Sequence, residues 1–119
     1  MKYNMGDIVW VSEANKEVTN NNVKNHLFVI IDNDGNLVPM DYYGFVISSR
    51  LEKSKNNSKY KYNEEIENDN NNNLKTKSIV KCDQLMNIPS QNIEMKIGEV
   101  NESDLIRFLN AFENSMGEN

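Results

Sequence analysis

The apolar residues of this chain fall into short runs divided by long polar stretches, a pattern that predicts strands rather than helices over most of its length. Ile8-Val9-Trp10-Val11 follows Gly6-Asp7 and predicts a first strand. Residues 12–25 are polar with no periodic apolar face, which predicts a long loop of the kind that often carries function. Leu27-Phe28-Val29-Ile30-Ile31 is the strongest apolar run, and its branched side chains predict a strand buried on both faces. Asp32-Asn33-Asp34-Gly35-Asn36 supplies turn chemistry, with Gly35 free to take positive φ. Tyr43 to Arg50 reads as another central strand that turns polar at its end.

Further along, Lys59-Tyr60-Lys61-Tyr62 alternates and predicts a strand with one wet face. The run 63–76 is acidic and rich in Asn, with only Ile66 and Leu74 as aliphatic anchors. Such a run buries too little apolar area to offset the entropy of ordering it, which predicts a mobile loop. Ser78-Ile79-Val80-Lys81-Cys82 predicts the next strand, and Asp83 to Pro89 a turn or short helix ending before the proline. Ile93 to Gly98 alternates as an edge strand would. One helix closes the sequence. Asn101 can cap it, Asp104 suits its first turn, and Gly117 ends it. Leu105, Leu109, Phe112 and Met116 recur at helical spacing, with Ile106 widening the stripe. Several short strands followed by one helix predict a mainly β fold, a curled sheet or small barrel closed by the helix.

The chain has 119 residues, which suits one domain with one core. A net charge of -5 argues against a uniformly basic nucleic-acid binder but leaves room for a local basic groove. Arg50, Lys53, Lys55, Lys59 and Lys61 cluster, and Glu64, Glu65, Glu67 and Asp69 follow them. Cys82 is the one cysteine, so neither an internal disulfide nor a multi-cysteine metal site can form, and its apolar neighbours predict a small core residue. No carboxylate pair stands at metal-ligand spacing from the single His26, and no Gly-rich phosphate loop exists, so no metal or nucleotide cofactor is expected. No apolar run approaches the roughly 20 residues of a membrane helix. The first residues lack the apolar region of a signal peptide, which predicts a cytoplasmic protein.

With these elements in place the chain resembles the MazF/PemK family of toxin endoribonucleases over nearly its whole length. Gly6-Asp7-Ile8-Val9 is similar to the family's opening strand, and His26-Leu27-Phe28-Val29-Ile30-Ile31 to its Arg-Pro-Val-Val-Ile-Ile segment. Phe45 to Arg50 resembles the strand ending in Ile-Thr-x-Arg. Ser78 to Leu85 resembles the Ser-Val-x-x-x-Glu-Gln-Ile strand and turn. The resemblance implies an SH3-like barrel, a homodimer, metal-independent cleavage of single-stranded RNA, and a cognate antitoxin whose tail blocks the RNA groove. Relatives on this fold include a gyrase poison, and a non-catalytic binding module on the same barrel is a further alternative.

The family's catalytic Arg and Thr are matched here by His26 and Ser48. The second change keeps a hydroxyl, while the first replaces a permanent cation by a group that titrates near neutral pH. RNA cleavage without metal needs a base for the 2'-hydroxyl proton, an acid for the leaving oxygen, and positive charge at the phosphate. His26 could be the base or the acid, Ser48 would orient the phosphate, and Arg50 would supply charge, aided by Lys53 and Lys55. Gln84, at the family's Gln position, could read a base edge. Trp10 reads as core, and Tyr60 and Tyr62, on one face of their expected strand, as the better base-stacking residues.

Overall fold

Residues 2–12, 26–51 and 58–117 are described by a computed structural model, so the loop at 13–25 and the Lys53 and Lys55 pair lie outside the described residues. The apolar runs become strands β1 (Asp7–Val11), β2 (His26–Asn33), β3 (Asp41–Ser48), β4 (Asn63–Ile66), β5 (Ser78–Lys81), β6 (Met86–Pro89) and β7 (Ile93–Glu99), followed by helix α1 (Glu102–Gly117). They form one seven-stranded antiparallel sheet in the order β4-β5-β3-β2-β1-β7, with β6 also paired to β3. Strand β3 pairs β2 along one edge and two strands along the other: Ile47 and Ser48 oppose β5, while Asp41 to Gly44 run along β6.

Successive strand residues point to opposite faces, and here both faces are covered. Ile8, Val29, Ile31, Phe45 and Ile47 enter one cluster; their neighbours Val9, Phe28, Ile30 and Val46 enter another. This explains why the central runs are continuously apolar instead of alternating. The second cluster also unites Ile88 of β6 with Ile93 of β7, strands that lie on opposite sides of β3, β2 and β1, so the sheet curls in the barrel-like manner expected.

Helix α1 packs on the first cluster. Asn101 caps it as expected, its Oδ1 accepting the Asp104 amide at 2.7 Å. The buried centre of its face is Phe108 and Ala111, flanked by Leu105, Leu109 and Phe112, whereas Ile106 and Met116 are exposed. Ile106 precedes Phe108 by two residues and so projects about 200° away around the axis. The sheet, through contacts such as Phe45 against Phe112 (5.5 Å between ring centres), selects which side of a broad apolar stripe is buried.

Three expectations are corrected. The run 63–76, expected as a loop, is built as a strand and a hydrogen-bonded turn. It begins with β4, where Asn63, Glu64 and Ile66 are buried. Asp69 Oδ1 accepts the amides of Asn71 and Asn72 at 2.8 and 2.7 Å. The buried Asn72 accepts the amides of Asp69 and Leu74 at Oδ1 and donates Nδ2 to the Glu67 carbonyl. Counting apolar area alone misses that Asn and Asp side chains can stand in for backbone partners. The turn is then fastened to β7. The Asn71 carbonyl accepts the Glu99 amide at 2.9 Å, and Asn73 donates Nδ2 to the Ile97 carbonyl at 2.7 Å. Gly98 permits this approach, because a Cβ there would sit 2.4 Å from the Asn72 carbonyl oxygen. The β4–β5 connection thus joins the two ends of the strand order without a β4–β7 ladder.

The other two corrections are local. Ser58–Tyr60 is a single 3-10 turn and the chain enters β4 only at Asn63, so Lys59 to Tyr62 is not a strand. An alternation this short does not fix a period, and each Lys ammonium lies over the ring of the next Tyr, at 5.6 and 5.2 Å. Residues 83–89 contain no helix: Asp83, Gln84 and Leu85 form an exposed connection, and Met86–Pro89 is β6.

Candidate active site

Strand register places the chemistry at one end of the sheet. Val11, the last residue of β1, opposes both His26, the first of β2, and Ile93, the first of β7. Leu27 opposes Ile47, which sets Ser48 next along β3 where His26 is next along β2. Met95, Trp10, Leu27 and Ile47 are opposed in turn across β7, β1, β2 and β3, and directly opposed residues share a face. All four line a groove of about 640 Å³. His26, Ser48, Ser49 and Arg50 line it at the strand ends, Asn73 to Thr76 line it from the β4–β5 connection, and Glu94 lines it from β7.

The local hydrogen bonds orient parts of this groove. Ser48 Oγ accepts the Arg50 amide at 3.2 Å, which turns the chain out of β3 and leaves the hydroxyl proton available to a ligand oxygen. Ser78 Oγ donates to the Thr76 carbonyl at 3.0 Å, and Asn73 holds a left-handed backbone (φ 55°) that the Ile97 contact secures. The acids that follow the basic cluster are engaged elsewhere. Glu64 pairs with Arg107 at 2.8 Å, and Glu65 and Glu67 with Lys77 at 3.1 and 3.4 Å. Those carboxylates raise the Lys77 ammonium above its ordinary value, the Glu65 hydrogen bond most.

The three candidate catalytic residues, His26, Ser48 and Arg50, therefore come together in one groove. Gln84, in the exposed β5–β6 connection, and Tyr60, in the 3-10 turn, are not among the residues that line it. Trp10 was expected in the core, but it is half-buried and forms the groove floor, because the strand's other residues satisfy both clusters and leave it facing the groove. Lys75, Thr76 and Glu94 carry no sequence motif that marks them for the groove. They are brought in by the turn that clamps β7 and by the register of β7 itself, neither of which has a local sequence signature. Cys82 is fully buried as expected, and burial pushes its thiol up to about 12, far from a nucleophile's range. Among the described residues, no cluster of three or more His, Cys, Asp or Glu could hold a metal ion. Among them, too, no helix is long and apolar enough to cross a membrane.

Solved structures share this architecture. A mycobacterial endoribonuclease in complex with its cognate antitoxin superposes with a TM-score of 0.67, covering 96% of this chain and 94% of that one at 11% identity. A second mycobacterial endoribonuclease gives 0.66, with 95% and 89% covered at 11% identity. The Mycobacterium tuberculosis toxin MazF-mt6 gives 0.60, with 93% and 95% covered at 16% identity. At such identities the likeness is one of fold. No curated protein matches the chain at the level of sequence. Residues 4–116, however, match the sequence pattern of the family described as the PemK-like, MazF-like toxin of type II toxin-antitoxin system, and the chain belongs to that family.

Proposed function

We propose that this protein is a metal-independent endoribonuclease that cuts single-stranded RNA in the groove and serves as the toxin of a toxin-antitoxin pair. The observation that carries this reading is the convergence of His26, Ser48 and Arg50 at one end of the groove whose floor includes Trp10. His26 moves a proton, the Ser48 hydroxyl donates to a phosphate oxygen, and the Arg50 guanidinium offsets charge that builds on the phosphate in the transition state. The Trp10 ring gives an unpaired base a surface to stack on, a contact open to single strands but not to a duplex. Lys53 and Lys55, close to Arg50 in sequence, add phosphate attraction, while Gln84 and Tyr60 would meet only RNA that runs past the groove. Incubating the purified protein with a long RNA and sequencing the new ends tests the reading directly. Discrete, reproducible cuts are expected; intact RNA would reject it.

Two further outcomes follow from the same reading. Cleavage should persist in excess EDTA, since the roles above are filled by side chains; activity lost on chelation and restored by Mg²⁺ or Mn²⁺ would remove this mechanism. The protein should also be a homodimer in the cytoplasm, held in check by an antitoxin segment lying in the groove. A second copy is supported by exposed apolar residues in the β2–β3 connection. Leu37, Val38 and Met40 are 92%, 72% and 70% exposed, while Asp34 fixes their loop by accepting the Met40 and Asp41 amides. Light scattering at micromolar concentration should give twice the chain mass of 13.8 kDa, and the mass of one chain would contradict the dimer.

A further inference from the structure

Cleavage of RNA without metal moves two protons, one off the attacking 2'-oxygen and one onto the departing 5'-oxygen. A single imidazole supplies one of these at the start of a turnover, so the groove needs a second proton-transfer group. Among the described residues that line it, the charged or titratable side chains are His26 from β2, Arg50 after β3, Lys75 from the β4–β5 connection and Glu94 from β7. Arg50 and Lys75 are cations with no proton-accepting site, so neither can take the proton of the 2'-hydroxyl. That leaves His26 and Glu94 as groups that can accept a proton, and Glu94 as the one that can do so while His26 donates.

Its surroundings point the same way. Other carboxylates near β7 are engaged, with Asp7 and Glu99 bound to Lys96 at 3.1 and 2.6 Å. Glu94 is exposed and takes no hydrogen bond or ion pair among the described residues. A free carboxylate in a groove that takes a polyanion repels the ligand, so it weakens binding unless it acts in the chemistry. The spacing also suits an acid and a base on either side of a phosphodiester. His26 and the start of β7 flank β1 at Val11, which puts their backbones two strand spacings, roughly 9–10 Å, apart. Both side chains line the groove.

We propose that Glu94 is the general base and His26 the general acid, an assignment that rests on the endoribonuclease reading above. The Glu94 carboxylate takes the proton of the ribose 2'-hydroxyl as the 2'-oxygen bonds to phosphorus. The bond from phosphorus to the 5'-oxygen breaks, and that oxygen takes a proton from the His26 imidazolium. The products are a 2',3'-cyclic phosphate and a 5'-hydroxyl, and exchange with water returns both side chains to their starting forms.

The test compares wild type, Glu94→Gln, Glu94→Asp and His26→Ala on one defined RNA, and on the same RNA with sulfur replacing the 5'-bridging oxygen at the cut. A thiolate leaves without an acid. Glu94→Gln should lower kcat on the order of 10² to 10⁴-fold on both substrates without raising KM, and Glu94→Asp should recover part of the rate. His26→Ala should be slow on ordinary RNA and recover on the sulfur substrate. In pH profiles, wild type should lose rate at low pH as the base protonates and at high pH as the acid deprotonates. Glu94→Gln should lose the low-pH limb only. Glu94→Gln cutting ordinary RNA at the wild-type rate would overturn the assignment while leaving the endoribonuclease reading intact. So would its rescue by the sulfur substrate, which marks an acid, or an unchanged kcat with altered bases at the cut, which marks a base-reading contact. A wild-type protein that cuts neither substrate would overturn both.

Discussion

Replacing His26 with alanine should lower the cleavage rate on the order of 10² to 10⁴-fold, the usual cost of removing a general acid or base. The residue lines the groove beside Ser48 and Arg50. An imidazole can both hold and release a proton, so the wild-type rate should vary with pH. His26→Arg should restore some cleavage and flatten that dependence, because a guanidinium stays charged. Ser48→Ala should cost about 10-fold, since one hydroxyl contact to phosphate contributes roughly 1 to 1.5 kcal/mol. RNA affinity should change little in either alanine variant, because permanent cations such as Arg50 carry most of the attraction to phosphate. Cleavage rates on one RNA from pH 5 to 9 decide the matter. Equal rates for wild type and His26→Ala would make His26 structural and move the catalytic centre elsewhere.

The largest effect on stability is expected at Asn72, in the run whose composition suggests disorder. Its buried amide serves the backbone of Glu67, Asp69 and Leu74. Alanine would remove all of these bonds and leave buried polar groups without partners. Each lost bond costs about 1 kcal/mol, and an orphaned buried group about 1–3 kcal/mol, so the total should be about 3 kcal/mol or more. For a domain of this size that lowers the thermal midpoint by roughly 10 °C. Asn70→Ala is the control, since Asn70 is exposed in the same turn, and it should melt close to wild type. If both variants melt with wild type, the turn contributes nothing to stability, and its fastening to β7 is incidental. A drop confined to Asn72 would show that this polar turn is a structural hub. It would also account for the ordered wall that Asn73 to Thr76 give the groove.

Much of the fold was legible in the chain because its signals are local. The branched run Leu27 to Ile31 had to be a strand buried on both faces, and β2 contributes to both core clusters. Asn101 and the apolar stripe after it required a helix starting near Glu102. The motifs holding His26, Ser48 and Arg50 marked three residues for one site, and all three line the groove. Other features were decided only when distant segments met. Trp10 sits in an apolar run that reads as core, but its cross-strand partners Leu27 and Met95 make it groove floor. Lys75 and Glu94 have no motif; a clamp from Asn71 and Asn73 onto β7 and the register of β7 against β1 bring them in. Composition misleads at 63–76, where the apolar area is too small to offset the entropy of ordering, because Asp69 and Asn72 hold the turn through hydrogen bonds to backbone groups. Periodicity and capping belong to neighbouring residues and are written in the sequence. Register between strands and polar contacts between remote turns depend on which surfaces meet, and that is fixed only in the folded chain.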